Sequence, residues 1–124
     1  MEIKEIITYE YKTKDGKVFT NKNEAYKHEC KLIVWNLEDH AIEVGEYKVL
    51  AINTKEELMA LKEAKRDTTD IFLTDIEKID KFPCYICAEY DDDYYQCFYK
   101  EISEVIDYHE DILNKLKEVT KNNE

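Results

Sequence analysis

Two glycines and one proline in 124 residues exclude more than any motif in the chain includes. A loop that cradles phosphate needs glycines at fixed intervals so that the backbone can approach the anion. Gly16 and Gly45 are too far apart to build one. The same scarcity leaves no low-complexity linker, repeat or domain seam. The chain therefore reads as one domain over residues 1–124, long enough to bury its own core. Arginine is nearly absent: Arg66 is the single one, which argues against bidentate capture of small anionic ligands. Long apolar runs are missing too, since Leu32–Trp35 and Val49–Ile52 are far too short to span a bilayer. The opening Met1-Glu-Ile-Lys-Glu5 lacks the basic-then-apolar pattern of an export signal. The expectations that follow are a cytoplasmic chain, no membrane partner and four reduced cysteines.

Negative charge is what the sequence has in excess. The net charge is −11, which opposes direct binding of nucleic acid through its phosphates. Residues 1–66 carry thirteen acidic and twelve basic side chains, so they are close to neutral. Residues 67–113 carry fourteen acids against Lys78, Lys81 and Lys100, a net of −11 in that stretch alone. Aromatic residues at 12%, ten of them tyrosine, argue against disorder.

Periodicity supplies the elements. Ile3–Thr13 alternates as a strand with Ile7, Tyr9 and Tyr11 on one face. Lys14-Asp-Gly-Lys17 is a turn before the extended Val18-Phe19. Asn21 and Glu24 have capping-box spacing, and Tyr26, Cys30, Ile33, Val34, Leu37 and Ala41 follow at helical intervals up to a stop at Gly45. Tyr47–Ile52 reads as a buried strand, and Thr54 with Glu57 opens a second, short helix with Leu58 and Leu61 inward. In 67–82, Ile71-Phe-Leu73 has strand character while Ile76 and Ile79 have helical spacing. Cys84–Tyr90 and Tyr94–Tyr99 form a hairpin around Asp91-Asp-Asp93. A last helix runs from about Ser103 to Val119, with Ile102, Val105, Ile106, His109, Ile112, Leu113, Leu116 and Val119 on its core face. The expected fold is α+β, a mainly antiparallel sheet of four to five strands with about three helices, ordered β(β)-α-β-α-(β)-β-β-α.

No catalytic motif emerges. Cys84-x-x-Cys87 has knuckle spacing, with Cys97 as a candidate third metal ligand. In a strand, however, positions i and i+3 point to opposite faces, and no second knuckle completes a zinc site. Small thiols filling a core are the simpler reading. His28, His40 and His109 form no metal-binding helical pair, and His109 reads as a satisfied core or boundary histidine. Twenty-nine acids make carboxylate pairs too common to be informative, and the Asp91–Asp93 tip lacks the alternating ligands and glycine of a calcium loop. No cofactor is expected.

An acidic and aromatic surface remains. At 100° per residue, Glu104, Asp107 and Asp111 fall opposite the apolar stripe of the last helix, with Glu101 and Glu110 at its flanks. The hairpin adds Glu89, Tyr90, Asp91, Asp92, Asp93, Tyr94 and Tyr95. Like charges three and four apart each cost about 0.2–0.5 kcal/mol of helix stability, and no lysine offsets them there. Such a face either binds a cationic partner or simply solvates an acidic protein. Along one helix the acids are several-fold sparser than duplex phosphates, so an imitation of DNA needs the hairpin tip beside it.

The segment Thr13-Lys-Asp-Gly-Lys-Val-Phe-x4-Glu-Ala-x-x-His-Glu29 resembles one recurrent in small proteins of phages and mobile elements. In size, acidity and Lys/Glu/Asn usage the chain is similar in type to phage anti-defence proteins, including anti-CRISPRs and anti-restriction DNA mimics. That resemblance implies a non-enzymatic inhibitor of a host nucleic-acid-binding protein, acting in the host cytoplasm, and it transfers no catalytic residues. Three other functions stay open: an oligomeric sponge for a nucleotide signal, a weak enzyme or metal protein using Cys84, Cys87 and Cys97, and a structural or accessory phage protein. A monomer and a dimer both fit the sequence.

Overall fold

The computed structural model describes residues 2–5 and 7–122. Its first part runs β1 (Tyr11–Lys12), β2 (Val18–Phe19), α1 (Lys22–Asp39), β3 (Ile42–Val44), β4 (Tyr47–Ile52) and α2 (Lys55–Lys65). There follow β5 (Ile71–Phe72), a 3-10 turn at Ile76–Lys78, β6 (Cys84–Asp91), β7 (Gln96–Glu101) and α3 (Ile102–Asn122). This is an α+β fold. β1 and β2 form a separate hairpin, and a five-stranded sheet has the order β3-β4-β6-β7-β5. Its pairings are antiparallel except that of β5 with β7, which is parallel.

Both N-cap side chains act as their spacing predicts, and at the second helix the return bond of a capping box forms as well. The Asn21 side chain accepts from the N–H groups of Asn23 and Glu24 at 2.9 and 3.2 Å. Thr54 Oγ1 accepts from the Glu57 N–H at 3.1 Å, and the Glu57 carboxylate reaches back to the Asn53 N–H at 3.0 Å. Each cap satisfies donors that the first helical turn leaves without partners.

Three expectations need correction. The strand expected over Ile3–Thr13 shrinks to Tyr11–Lys12, and Ile3, Ile7 and Tyr9 are exposed. (Ile6 lies outside the described residues.) The cause is local: Asn21 starts α1 so soon that β2 has only two residues to offer as a partner. Secondly, α1 ends at Asp39 rather than near Gly45. Ile42–Val44 pairs with β4 instead, and Gly45, at φ +58°, makes the tight turn between them. Thirdly, the apolar stripe of α3 is not a core face. Val105 is buried at 8% exposure, but Ile106, Leu113, Leu116 and Val119 stand about half exposed.

The sheet explains this asymmetry. Leu50 and Ile52 of β4 and Ile86 of β6 pack with Val34 and Leu37 of α1 and with Leu58 and Leu61 of α2. Val49 and Cys87, on the opposite face, pack with Val105, Tyr47 and Ile102. Helices α1 and α2 thus cover most of one face, leaving a depression near Lys48, Tyr90 and Cys97, while α3 covers the other with its first two turns only. Beyond Leu113, α3 runs past the sheet into solvent.

The β1–β2 turn is pinned to α1. Asp15 accepts from the Thr13 hydroxyl and contacts His28 Nε2 at 2.7 Å, and the Lys14 N–H donates to Glu29 at 2.6 Å. These bonds, first the Thr13 hydroxyl and then His28, lower the Asp15 carboxyl from its ordinary 3.8 to about 2.

Two stability predictions follow from this packing. Replacing Ile86 by Ala should cost about 2–5 kcal/mol in denaturant unfolding, whereas Tyr9→Ala should stay within about 0.5. Asp15 holds its proton less tightly folded than unfolded. Its contribution is therefore present above about pH 4 and lost as pH falls toward 2. In a melting-temperature series over that range, Asp15→Asn should flatten this part of the acid limb.

Candidate protein-binding surface

The end of the β6–β7 hairpin is a built turn. Asp91 pairs with Gln96 across the ladder, and its carboxylate accepts from the Asp93 N–H at 2.9 Å, the Asx arrangement that starts a turn locally. Tyr95 closes it at φ +52°, a left-handed conformation that costs a bulky residue energy. The Thr69 hydroxyl donates to the Tyr95 carbonyl at 3.1 Å, and Asp70 accepts from the Cys97 N–H at 2.9 Å. The segment before β5 therefore braces the tip from the side.

Strand alternation decides what the tip presents. Glu89 and Asp91 share a face with Phe98 and Lys100, the face on which α3 lies. A cavity of about 550 Å³ is lined there by Glu89, Tyr90, Asp91–Asp93, Phe98, Lys100 and Leu73. Tyr94 and Tyr95 stand out from the turn, Tyr95 at 77% exposure. Phe98 and Lys100 escaped the sequence reading, although the period-two alternation of β7 could have found them.

Helix α3 is oriented by two contacts. Tyr47 Oη and His109 Nε2 are 2.9 Å apart with their rings edge-on, and Lys100 lies 5.7 Å over the Tyr108 ring on the β7 side. His109 is thus a satisfied boundary histidine. Taking Val105 as the sheet-facing reference, Glu104 and Asp111 lie about 100–120° toward β7, and Asp107 points outward. Ile106 and Leu113 lie about 80–100° the other way, where with Val44 and Tyr47 they line a groove of about 870 Å³. Glu89 and Lys100 line both the groove and the hairpin cavity. The acidic flank of the helix and the acidic tip are therefore on the same side of α3. Glu101 is not part of that side: it shares a face with Ile86, and its carboxylate accepts the Ser103 N–H at 2.9 Å at the start of α3.

Not every acid of residues 67–113 adds to this surface. Asp67 pairs with Lys27 and Arg66, Asp70 with Lys65, Asp75 with Lys78 and Glu77 with Lys62. Most of these cations come from α1 and α2, which the local sequence does not show. Asp111 pairs with Lys115 at 3.0 Å. Among the described residues no lysine or arginine forms an ion pair with Glu89, Asp91, Asp92, Asp93, Glu104 or Asp107. Those six carboxylates are the uncompensated face.

The cysteines are dispersed. Cys84 joins the core under α1 and α2, Cys87 the core under α3, and Cys97 lies six ladder positions from Cys84, opposite Tyr90. The described residues contain no group of three or more His, Cys, Asp or Glu able to hold a metal ion, and none of their helices is long and apolar enough to cross a membrane. Burial pushes the thiols of Cys30, Cys84, Cys87 and Cys97 upward.

Comparison of the chain with family models, with curated proteins and with solved structures finds no match.

Reactivity is carried by the thiolate, so the native chain at neutral pH should react slowly with a thiol-specific disulfide reagent. In denaturant all four cysteines should titrate at once. A fast native phase would show that the strands do not hold these side chains as described.

Proposed function

We propose that this chain is a non-enzymatic binding protein. Its β6–β7 tip and the adjoining flank of α3 enter a basic, nucleic-acid-binding groove of a partner protein and exclude the nucleic acid. The observation that carries this reading is that Glu89, Asp91, Asp92 and Asp93 surround one cavity without ion-pair partners, next to exposed Tyr94 and Tyr95, with Glu104 and Asp107 adding unpaired charge along α3. Self-repulsion of that kind weakens a fold and is relieved when a positive surface closes on it.

Charge spacing favours a single strand over a duplex as the thing imitated. Duplex DNA carries a charge every 1.7 Å or so, and one strand about every 3.4 Å. Three consecutive acids on a chain that advances at most about 3.6 Å per residue approach the second figure. Aromatic rings complete the likeness, because grooves for single strands recognise stacked π-faces. Tyr95 also fits: a left-handed position that glycine would fill without strain is kept by a large aromatic side chain. The resemblance to phage anti-defence proteins supplies the class of partner, a host nuclease or CRISPR effector. A nucleotide sponge is less well supported, since the hairpin cavity sets one cation, Lys100, among Glu89 and Asp91–Asp93.

The test is affinity capture from host lysate at low and high salt, with single-stranded and duplex oligonucleotides as competitors. Capture should weaken with salt and yield to the single strand first. Replacing Asp91, Asp92 and Asp93 together by Lys should reduce affinity at least about a hundredfold, given roughly 1 kcal/mol or more for each reversed contact. Tyr95→Gly should raise the melting temperature while weakening capture. If binding is indifferent to salt and to the triple reversal, the acidic face is a solvated surface and the reading is wrong.

A further inference from the structure

We infer that the apolar flank of α3 is an interface for a second copy of this chain, docked antiparallel across a two-fold axis. Its Ile106–Leu113 wall faces away from the acidic tip; the groove adjoins the hairpin cavity at Glu89 and Lys100, but the inference does not rest on the function proposed above.

Three observations lead to it. The first is that the stripe is unfinished. Ile106 and Leu113 lie on the β3 flank of α3, and Leu116 and Val119 carry the stripe round onto the sheet-facing side beyond the sheet, yet each is about half exposed. A solvent-facing helix end has no need of such residues, and contiguous exposed apolar surface on a soluble chain marks an interaction site. The second is the groove beside it. Ile106 and Leu113 form one wall and Val44 of β3 the other, in a depression of about 870 Å³. The projecting half of α3, beyond Leu113, carries Leu116 and Val119, side chains of the size to fill such a groove. A two-fold axis near Leu113 sets the projecting half of each copy into the groove of the other, the self-complementary arrangement a symmetric dimer requires.

The third is charge, which fixes the direction. Residues 104–111 of α3 bear four acids and no base, whereas residues 115–121 bear Lys115, Lys117 and Lys121 against Glu118. Antiparallel pairing lays acid on base; parallel pairing lays like on like. The helix dipole explains only the ends of this pattern, because its influence fades within the first and last turns. Glu110 and Lys117, one turn in from those ends or more, lie on the same flank as Ile106 and Leu113. Neither forms an ion pair within the described chain. Across the axis, Glu110 of one copy comes beside Lys117 of the other. A strip of helix about 22 Å long and 10 Å wide is smaller than the roughly 800 Å² per partner of a standard interface. The β3 wall therefore has to join it, and Ile42 and Val44 are exposed on that edge.

The experiment is sedimentation or light scattering of the full chain over a concentration series. The expected mass is twice 14.9 kDa. Leu116→Glu with Val119→Glu should return the chain to the single mass, with an unchanged far-ultraviolet spectrum because both side chains lie outside the core. Glu110→Lys alone and Lys117→Glu alone should each raise the dimer dissociation constant about tenfold, and the double exchange should restore it. A wild-type chain that keeps the single mass throughout overturns the inference, even if that monomer binds vesicles or another protein by the same flank. So does a dimer that survives the Leu116 and Val119 substitutions, or one for which the double exchange restores nothing.

Discussion

Ile86 and Cys87 are adjacent in β6 yet belong to different cores, and the rest of the molecule is arranged around that fact. The same is true of Leu50 and Val49 in β4. Two central strands with apolar side chains on both faces cannot leave either face in water. Burial of each such side chain stabilises the fold by about 1.5–3 kcal/mol, so a second layer is an energetic requirement. Helices α1 and α2 meet the requirement on one side by packing on each other as well as on the sheet. The other side has only α3, whose start is fixed by β7 ending at Glu101. The helix must turn back at once over Val49 and Cys87, and its direction is then set by Tyr47 and His109.

From that single direction the two flanks of α3 acquire their different characters. The flank toward β7 meets the hairpin tip and carries Glu104 and Asp111. The flank toward β3 carries Ile106 and Leu113. The two meet at Glu89 and Lys100, which line both the hairpin cavity and the groove. Three carboxylates near the tip would be an ordinary solvated turn if Lys100 paired with them. Instead its ammonium lies over the Tyr108 ring, and Glu89 keeps its charge uncompensated at the seam between cavity and groove.

How much of this the sequence disclosed depends on the range of the interaction. Both helix caps, the β4 strand, the β6–β7 hairpin and the start of α3 were legible, because each is set by contacts within four residues or by a strict period; only the return strand of the hairpin begins later than expected, at Gln96 rather than Tyr94, because the turn takes in Tyr94 and Tyr95. The opposite facing of Cys84 and Cys87 was legible for the same reason. Strand β3 was hidden: Ile42-Glu-Val44 is too short to be distinguished from the end of α1 until its pairing with β4 is known. The ion pairs of Asp67 with Lys27 and of Glu77 with Lys62 were hidden as well, since those cations lie on α1 and α2, 40 and 15 residues away in sequence. A charge count along the chain therefore located the acidic surface but overstated its size.

The stripe on α3 was read correctly as apolar and wrongly as core, and the reason is instructive. Helical periodicity reports which side of a helix avoids water; it is silent on whether the covering surface belongs to the same chain. For Val105 the cover is Val49 and Cys87, three residues in one cluster. For Leu116 and Val119 the sheet has already ended, because β4 begins at Tyr47 and β6 stops at Asp91. The unsupported half of α3 is shorter than the roughly 12–15 residues below which an isolated helix is marginal in water, so it draws its stability either from the first two turns or from something laid along it. Its acidic first half and basic second half would hinder a parallel neighbour and favour an antiparallel one. Pairing by that flank would also leave both acidic tips facing outward, free to engage a partner.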